Sequence, residues 1–342
     1  MDHTAGPFLR HGCAMTISHG RALALGQLAM LLVGSAVAAA SLLADYPVLT
    51  GQAVRYAAAA VGLWAWTRLR SRRLPRLTRR DASWVFGVAL VGMSGFNVVL
   101  IEATGRIDPS VVGAVLGGTP IALAVLGPLQ AGRPIARRTL ACALVVAAGV
   151  LLVERASGPL DPIGLALTLL VLAGEVGFSL LAVRPLRRIG AVGVSFHAVW
   201  IAAVQLAIGA LLLERHALRW PTAVEAGALA HMAVFVTVVA FVAWYTALDR
   251  LGADRAGLLV GTVAVTALGT AALVGTTTVT PTTVLGCALV IAGVAVGVRT
   301  PERKRQATPE PRAAHRQRLP TTAPQPFSKT LIEPEPCGCE SA

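Results

Sequence analysis

One carboxylate stands in the middle of an apolar stretch: Glu175, flanked by Gly174 and Gly177, in the run 163 to 183. In hydrocarbon such a group costs several kcal/mol unless it is protonated, paired or facing water. A carboxylate held in this way suits a proton carrier or a cation-binding group. The plainer alternative is a protonated acid hydrogen-bonded to a neighbouring helix. Asn97 lies two turns inside the run 83 to 103, where an amide either bridges helices or touches a ligand. Arg55 lies about a third of the way into the run 47 to 67; there it can snorkel outward or pair with Asp45 or Glu102, and a structural role is the expectation. His197 and His231 each sit about two turns from the end of a run, as proton relays or, by expectation, as hydrogen-bonded packing residues. Trp244 and Tyr245 fit an interfacial aromatic belt at least as well as a stacking role. Thr119-Pro120 falls within the run 110 to 130, where a proline removes a backbone donor and frees a carbonyl that can face a cavity. The position 144 residues on is Ala264, and Thr262 and Thr266 offer hydroxyls beside it.

These groups are dispersed, and dispersal excludes much. No nucleophile stands beside a base, no phosphate-cradling glycine loop ends in Lys, and no nucleotide motif is present to power primary transport. A membrane-embedded enzyme, such as a lipid-modifying one, would need acids, histidines or a metal set gathered at one depth. No cofactor is expected. Cys142 and Cys287 read as small packing residues, while Cys337 and Cys339 form a C-x-C pair with at most a weak metal or redox role.

The elements that must position the polar groups follow from composition. With 55% hydrophobic and 14% charged residues, a chain of 342 residues carries more apolar surface than its own core could bury, so lipid is its solvent. Ten runs are long enough to cross about 30 Å of hydrocarbon. They are 22 to 43, 47 to 67, 83 to 103, 110 to 130, 138 to 153, 163 to 183, 191 to 213, 224 to 247, 253 to 274 and 282 to 298. With ten crossings, 25 of the 30 Lys and Arg fall on the side that carries both ends; Arg106, Arg155, Arg215 and Arg219 fall on the other, and Arg55 within a span. That bias places both termini in the cytosol and the chain in the cytoplasmic membrane. A net charge of +13 spread over short loops without interleaved aromatics excludes a nucleic-acid partner.

Shifted by 144 residues, the chain falls on itself without a gap. Between Glu102–Val153 and Thr246–Gly297, ten of 52 positions are identical, among them Gly113/Gly257, Gly117/Gly261, Val146/Val290 and Gly149/Gly293. Five spans per copy is odd, so the second copy enters from the opposite face. The expected fold is an all-α integral membrane protein of ten transmembrane helices in two inverted five-helix repeats. Such repeats suit a secondary transporter whose shared central site opens alternately to each side. The expected layout is a cytosolic lead over 1–20, repeats over 21–154 and 163–298, and a disordered cytosolic tail over 299–342, rich in Pro, Arg, Gln and Glu. The first span is too long, and too soon followed by a second, for a cleaved signal peptide.

Gly113-x-x-x-Gly117 and Gly257-x-x-x-Gly261 present small faces at which helices are expected to cross closely. Together with the paired five-span units, Arg55 in the second span, Trp244-Tyr245-x-Ala247-Leu248 ending the eighth, and the closing Gly149-Val150-Leu151-Leu152 and Gly293-Val294, residues 22 to 298 resemble the EamA family of the drug/metabolite transporter superfamily. The resemblance implies a ten-helix exporter of amino acids, other small metabolites or drugs. Its central cavity would be lined mainly by the first, third, fourth, sixth, eighth and ninth helices. Two departures stand out: the family's fourth-span proline is kept only at Pro120, and the Gly-Glu pair it carries before the fifth span is replaced at Gly132 and near Thr276. The candidate substrate or coupling residues are thus Glu175, Asn97, Thr119, Pro120, Thr262 and Thr266, with Trp244, Tyr245, His197, His231 and Arg55 behind them. The expected partners are the lipid bilayer, a small molecule and protons as coupling ion; a rival is efflux of cationic drugs, for which a buried acid is the natural binding group.

Overall fold

The computed structural model describes residues 18–71, 73–155, 161–275 and 277–299, and among these it is helical throughout, without strands. Thr276, the Cys337 and Cys339 pair and the tail from 300 onward lie outside the described residues. Ten helical elements follow one another: α1 His19–Ser41, α2 Val48–Leu69, α3 Arg79–Thr104, α4 Pro109–Gln130, α5 Arg137–Glu154, α6 Pro162–Leu180, α7 Val183–Leu213, α8 Ala223–Leu251, α9 Ala253–Leu273 and α10 Pro281–Val298.

Their starts are written in local chemistry. Ser18, Thr78, Asp108 and Asp161 each cap an otherwise unpaired N–H of the first turn of α1, α3, α4 and α6. Proline follows the cap in α4, α6 and α10, where its missing N–H costs nothing. α8 opens with a reciprocal box between Thr222 and Glu225, and α10 with one between Thr280 and Thr283. α2 begins at Pro47 and borrows its cap: the Glu214 carboxylate, at the end of α7, accepts hydrogen bonds at 2.8 Å from the Leu49 and Thr50 amides and the Thr50 hydroxyl. Gly190, at φ 68°, breaks α7 one residue before the apolar run that starts at 191, a conformation that suits glycine.

Eight of these helices are long and apolar enough to cross a membrane. The other two are helices of spanning length with more polar content: α2 carries Gln52, Arg55 and Arg68, and α5 carries Arg137, Arg138 and Glu154. Large apolar side chains point outward along the bundle, such as Leu213 and Leu273, with 74% and 89% of their surface exposed. In water that would be a severe liability; in lipid it is the solvated state. The chain is therefore a multi-pass membrane protein.

Inside, α5 lies along α10, α2 along α7, α4 along α9, α1 against α8 and α3 against α6. The first contact is backbone on backbone: a Cβ on Gly149 would stand 2.7 Å from the Gly286 carbonyl, and one on Gly286 2.7 Å from that of Gly149. The Gly-x-x-x-Gly pairs behave differently from the expected close backbone crossings. Gly117 and Gly261 make room for the side chains of Val150 and Val146 on α5, Gly257 for Leu123 on α4, and Gly113 for the carboxylate of Glu154.

Two irregularities recur in step with the 144-residue spacing. α4 is broken at Gly117 and Gly118, between Leu116 and Thr119, and α9 at Gly261, between Val260 and Thr262. α3 widens into a π turn over Leu90–Ser94 and α8 over Met232–Val239. In each π segment a hydroxyl also bonds the carbonyl five residues back, Ser94 to Ala89 at 3.0 Å and Thr237 to Met232 at 2.9 Å.

Candidate functional site

Two cavities meet inside the bundle. The first, about 210 Å³, is walled by α1, α2, α3, α6, α8 and α9, with Arg55, Tyr56, Asn97, Glu175, Phe178 and Trp244 among its lining. The second, about 270 Å³, runs between α4, α5, α6 and α9 and includes Thr119, Glu154, Glu175 and Ala264. Val33, Phe96, Glu175 and Val263 line both, so Glu175 is the charged residue common to the two.

Local packing aims these groups. A Cβ on Gly174 would stand 2.9 Å from the Val91 carbonyl, and one on Gly92 2.6 Å from the Cβ of Phe178. The two glycines therefore let α6 lie against the π turn of α3 and bring Glu175 beside Phe96 and Asn97 at the cavity wall. Across from them, the π turn of α8 and the residue that follows it place Val236 and Ala240 at the cavity wall, and the turn sets the Thr237 hydroxyl where it accepts a 2.8 Å hydrogen bond from Arg55 Nε.

Among the described residues, the Glu175 carboxylate makes no hydrogen bond or ion pair with protein, although its side chain is mostly enclosed. Asn97, which lines the first cavity, donates from Nδ2 to the Met93 carbonyl in the π turn at 2.7 Å. Thr119 is 1% exposed, lines the second cavity, and its hydroxyl has no partner; Pro120 is buried beside it at the restart of α4. Arg55 is 8% exposed, so it does not snorkel, and neither proposed pair forms: Glu102 bridges Arg106 at 2.8 Å and Asp45 lends only its carbonyl to Arg219. Trp244 is buried and lines the first cavity rather than an interfacial belt. Tyr245 is wholly buried behind it, its ring against Phe178 at 5.1 Å, with a hydroxyl that finds no partner.

Four further candidates are held by hydrogen bonds within the bundle. Thr262 accepts from Gln27 at 3.0 Å and bonds the Leu259 carbonyl, tying α1 to the break in α9. Thr266 bonds carbonyls of its own helix and that of Met30. Neither lines either of the two cavities above. His197 Nε2 bonds the Pro75 carbonyl at 2.9 Å and its Nδ1 accepts from Trp200 at 3.1 Å, which fixes a neutral tautomer. His231 Nε2 meets the Ser35 hydroxyl at 3.0 Å, and because that hydroxyl donates to Leu32, the ring is the donor.

The lining departs from the expected helix set in two places: α2 contributes Arg55 and Tyr56 to the first cavity, and α5 contributes Val150 and Glu154 to the second. Glu154 is the residue that sequence reading passed over, because a carboxylate just past the end of an apolar run looks like an ordinary interfacial charge. Its one signal was Gly113, the residue whose missing side chain makes room for it. Outside the spans, Arg219 holds Glu225 through both guanidinium nitrogens and lies over the Tyr46 ring at 4.9 Å. Burial pushes the Tyr46 phenol above its ordinary range, and the bond to Glu225 raises the already high Arg219.

The chain is an all-helical membrane bundle with two internal cavities that carry a few polar groups, and comparison with known proteins gives its family. The EamA-like transporter family model matches twice, over residues 20–155 and 162–299. The chain belongs to that family. It is similar to an uncharacterized transporter, YetK, of Bacillus subtilis strain 168, 24% identical over 249 residues that cover 70% of this chain and 75% of that one. A crystal structure shares the fold with a TM-score of 0.72 and 21% identity, over 82% of this chain and 96% of the other. Family and relative point to a transporter rather than an enzyme.

Proposed function

We propose that the protein is a secondary transporter of the cytoplasmic membrane that exports small metabolites, amino-acid-like or related polar compounds, by alternating access. In this reading all ten helices cross the bilayer as two inverted five-helix repeats, with both termini in the cytosol. The observation that carries it is Glu175, an unpaired carboxylate at the junction of two cavities. A group so placed can face one side and then the other while it exchanges a proton for substrate. Support for the repeat comes from the paired breaks at Gly117 and Gly261 and the paired π turns, points where a helix can bend without losing its backbone partners.

The test is a comparison of secreted metabolites between a strain that overexpresses the protein and a deletion strain. Export predicts one or a few compounds enriched outside the first and depleted outside the second; identical profiles would contradict it. A second reading, proton-coupled efflux of cationic drugs, draws on the aromatic side chains of Phe96, Phe178, Phe241 and Trp244 that share the first cavity with the acid. Resistance profiling of the same two strains separates the readings, since only drug efflux protects against cationic toxicants.

A further inference from the structure

The positive charge in the first cavity has no protein counterpart. Arg55 keeps its charge at any pH the protein meets. Its side chain is buried, yet among the described residues no carboxylate oxygen lies within 4.0 Å of the guanidinium. What holds it is neutral: Nε donates to the Thr237 hydroxyl at 2.8 Å, Nη1 donates to the Gln52 carbonyl oxygen at 3.1 Å, and the Tyr56 ring lies 5.1 Å away. These contacts use two of the five N–H donors and cancel none of the charge. Thr237 is itself fixed by the Met232 carbonyl of the α8 π turn, so the guanidinium is held in place before any ligand arrives. Gln52 lies one turn earlier on the same helix.

We infer that Arg55 is the anion-recognising group of this cavity, so that the transported molecule must carry a carboxylate or similar acid. The inference rests on the transport reading above and narrows it. Glu175 lines the same cavity but stands beyond ion-pair reach of Arg55, so the two charges remain apart for a ligand that answers both. An amine without an acid leaves Arg55 unanswered, and an acid without an amine leaves Glu175. Guanidinium and carboxylate match in a planar, two-bond geometry that ammonium cannot reproduce, which makes the site selective for the acid and sensitive to lysine.

The experiment uses the full-length protein in proteoliposomes and measures counterflow of radiolabelled leucine and phenylalanine beside their decarboxylated counterparts, isoamylamine and phenethylamine. Wild-type protein is expected to move at least one amino acid at least tenfold faster than its amine, a comparison that requires no variant. Arg55→Gln is expected to bring the amino acid down to the rate of the amine, and Arg55→Lys to restore only part of the difference. Amines moved as fast as the amino acids would overturn the role of Arg55 while leaving a transporter of cations standing. So would wild-type selectivity in an Arg55→Gln protein that elutes as the wild type does. Movement of none of the four would overturn this inference and the amino-acid-like reading together.

Discussion

A phenol hydroxyl with no exposure and no partner is a cost the folded protein carries. Tyr245 is such a group, packed against Phe178 and Phe241 just behind the cavity wall. An unsatisfied buried polar atom costs about 1–3 kcal/mol, so Tyr245→Phe, which keeps the ring and deletes the hydroxyl, is expected to raise the unfolding free energy by about 1 kcal/mol. Thermal unfolding in detergent checks this, and a lower melting temperature would mean that the hydroxyl is bonded after all. Thr119 poses the same question in the second cavity, where its lone hydroxyl faces the space shared with Glu154 and Glu175. At this scale the sequence told part of the story. The place of Glu175 and Asn97 at the cavity wall was legible, because a carboxylate or amide deep in an apolar run has few reasons to face lipid. Arg55 was noticed, but neither the outward snorkel nor the pairing with Asp45 or Glu102 offered for it is what the fold shows, since sequence distance says nothing of which helix α2 faces. That Thr262 and Thr266 bond backbone carbonyls and line neither cavity was not legible for the same reason: a hydroxyl in a helix can bond its own backbone, and only the neighbouring α1 decides where it points.

Helix contacts give the next set of expectations. Gly149 and Gly286 hold α5 and α10 at backbone distance, so Gly149→Val must push the helices apart. Overpacking of this kind costs about 1–3 kcal/mol. Gly269, in α9, has open space where a Cβ would go, and Gly269→Ala is expected to stabilise by about 0.5–1 kcal/mol through helix propensity alone. Melting temperatures that fall for the first and hold or rise for the second support the packing; equal shifts would contradict it. Asp108 offers a pH-dependent counterpart. Its hydrogen bonds with the Ser110 hydroxyl and amide hold its carboxyl below the ordinary carboxylate range. Its contribution is therefore present above the unfolded-state value and lost as pH falls through the lower folded one. Asp108→Asn, still a competent cap, should flatten that part of the acid profile, whereas an unchanged profile would assign the acid sensitivity elsewhere. Helix starts were readable from cap residues and prolines, and the run beginning at 191 anticipated the break at Gly190. The π turns of α3 and α8 were not readable, because one residue added to a turn leaves the hydropathy of the run unchanged. Neither was the part played by the paired glycines, which depends on the residue opposite each one.

For the whole molecule, the 144-residue spacing carries the argument, since residues so related share breaks and packing: Gly149 meets Gly286 and Val290, and Gly293 meets Cys142 and Val146. In the proposed reading of two oppositely oriented copies sharing one cavity, the bends at Gly117 and Gly261 would exchange roles as the site turns from one side to the other. Labelling from outside intact cells should then leave cysteines placed near residue 20 and at Arg299 both unmodified; modification of one alone would break the symmetry on which this rests. The most direct measurement of the central claim is uphill transport in proteoliposomes under an imposed proton gradient, with wild-type protein beside Glu175→Gln. The account predicts that the wild type accumulates its substrate and that the Gln variant, which cannot take up and release a proton, only equilibrates it. Undiminished proton-driven accumulation by Glu175→Gln would contradict the account.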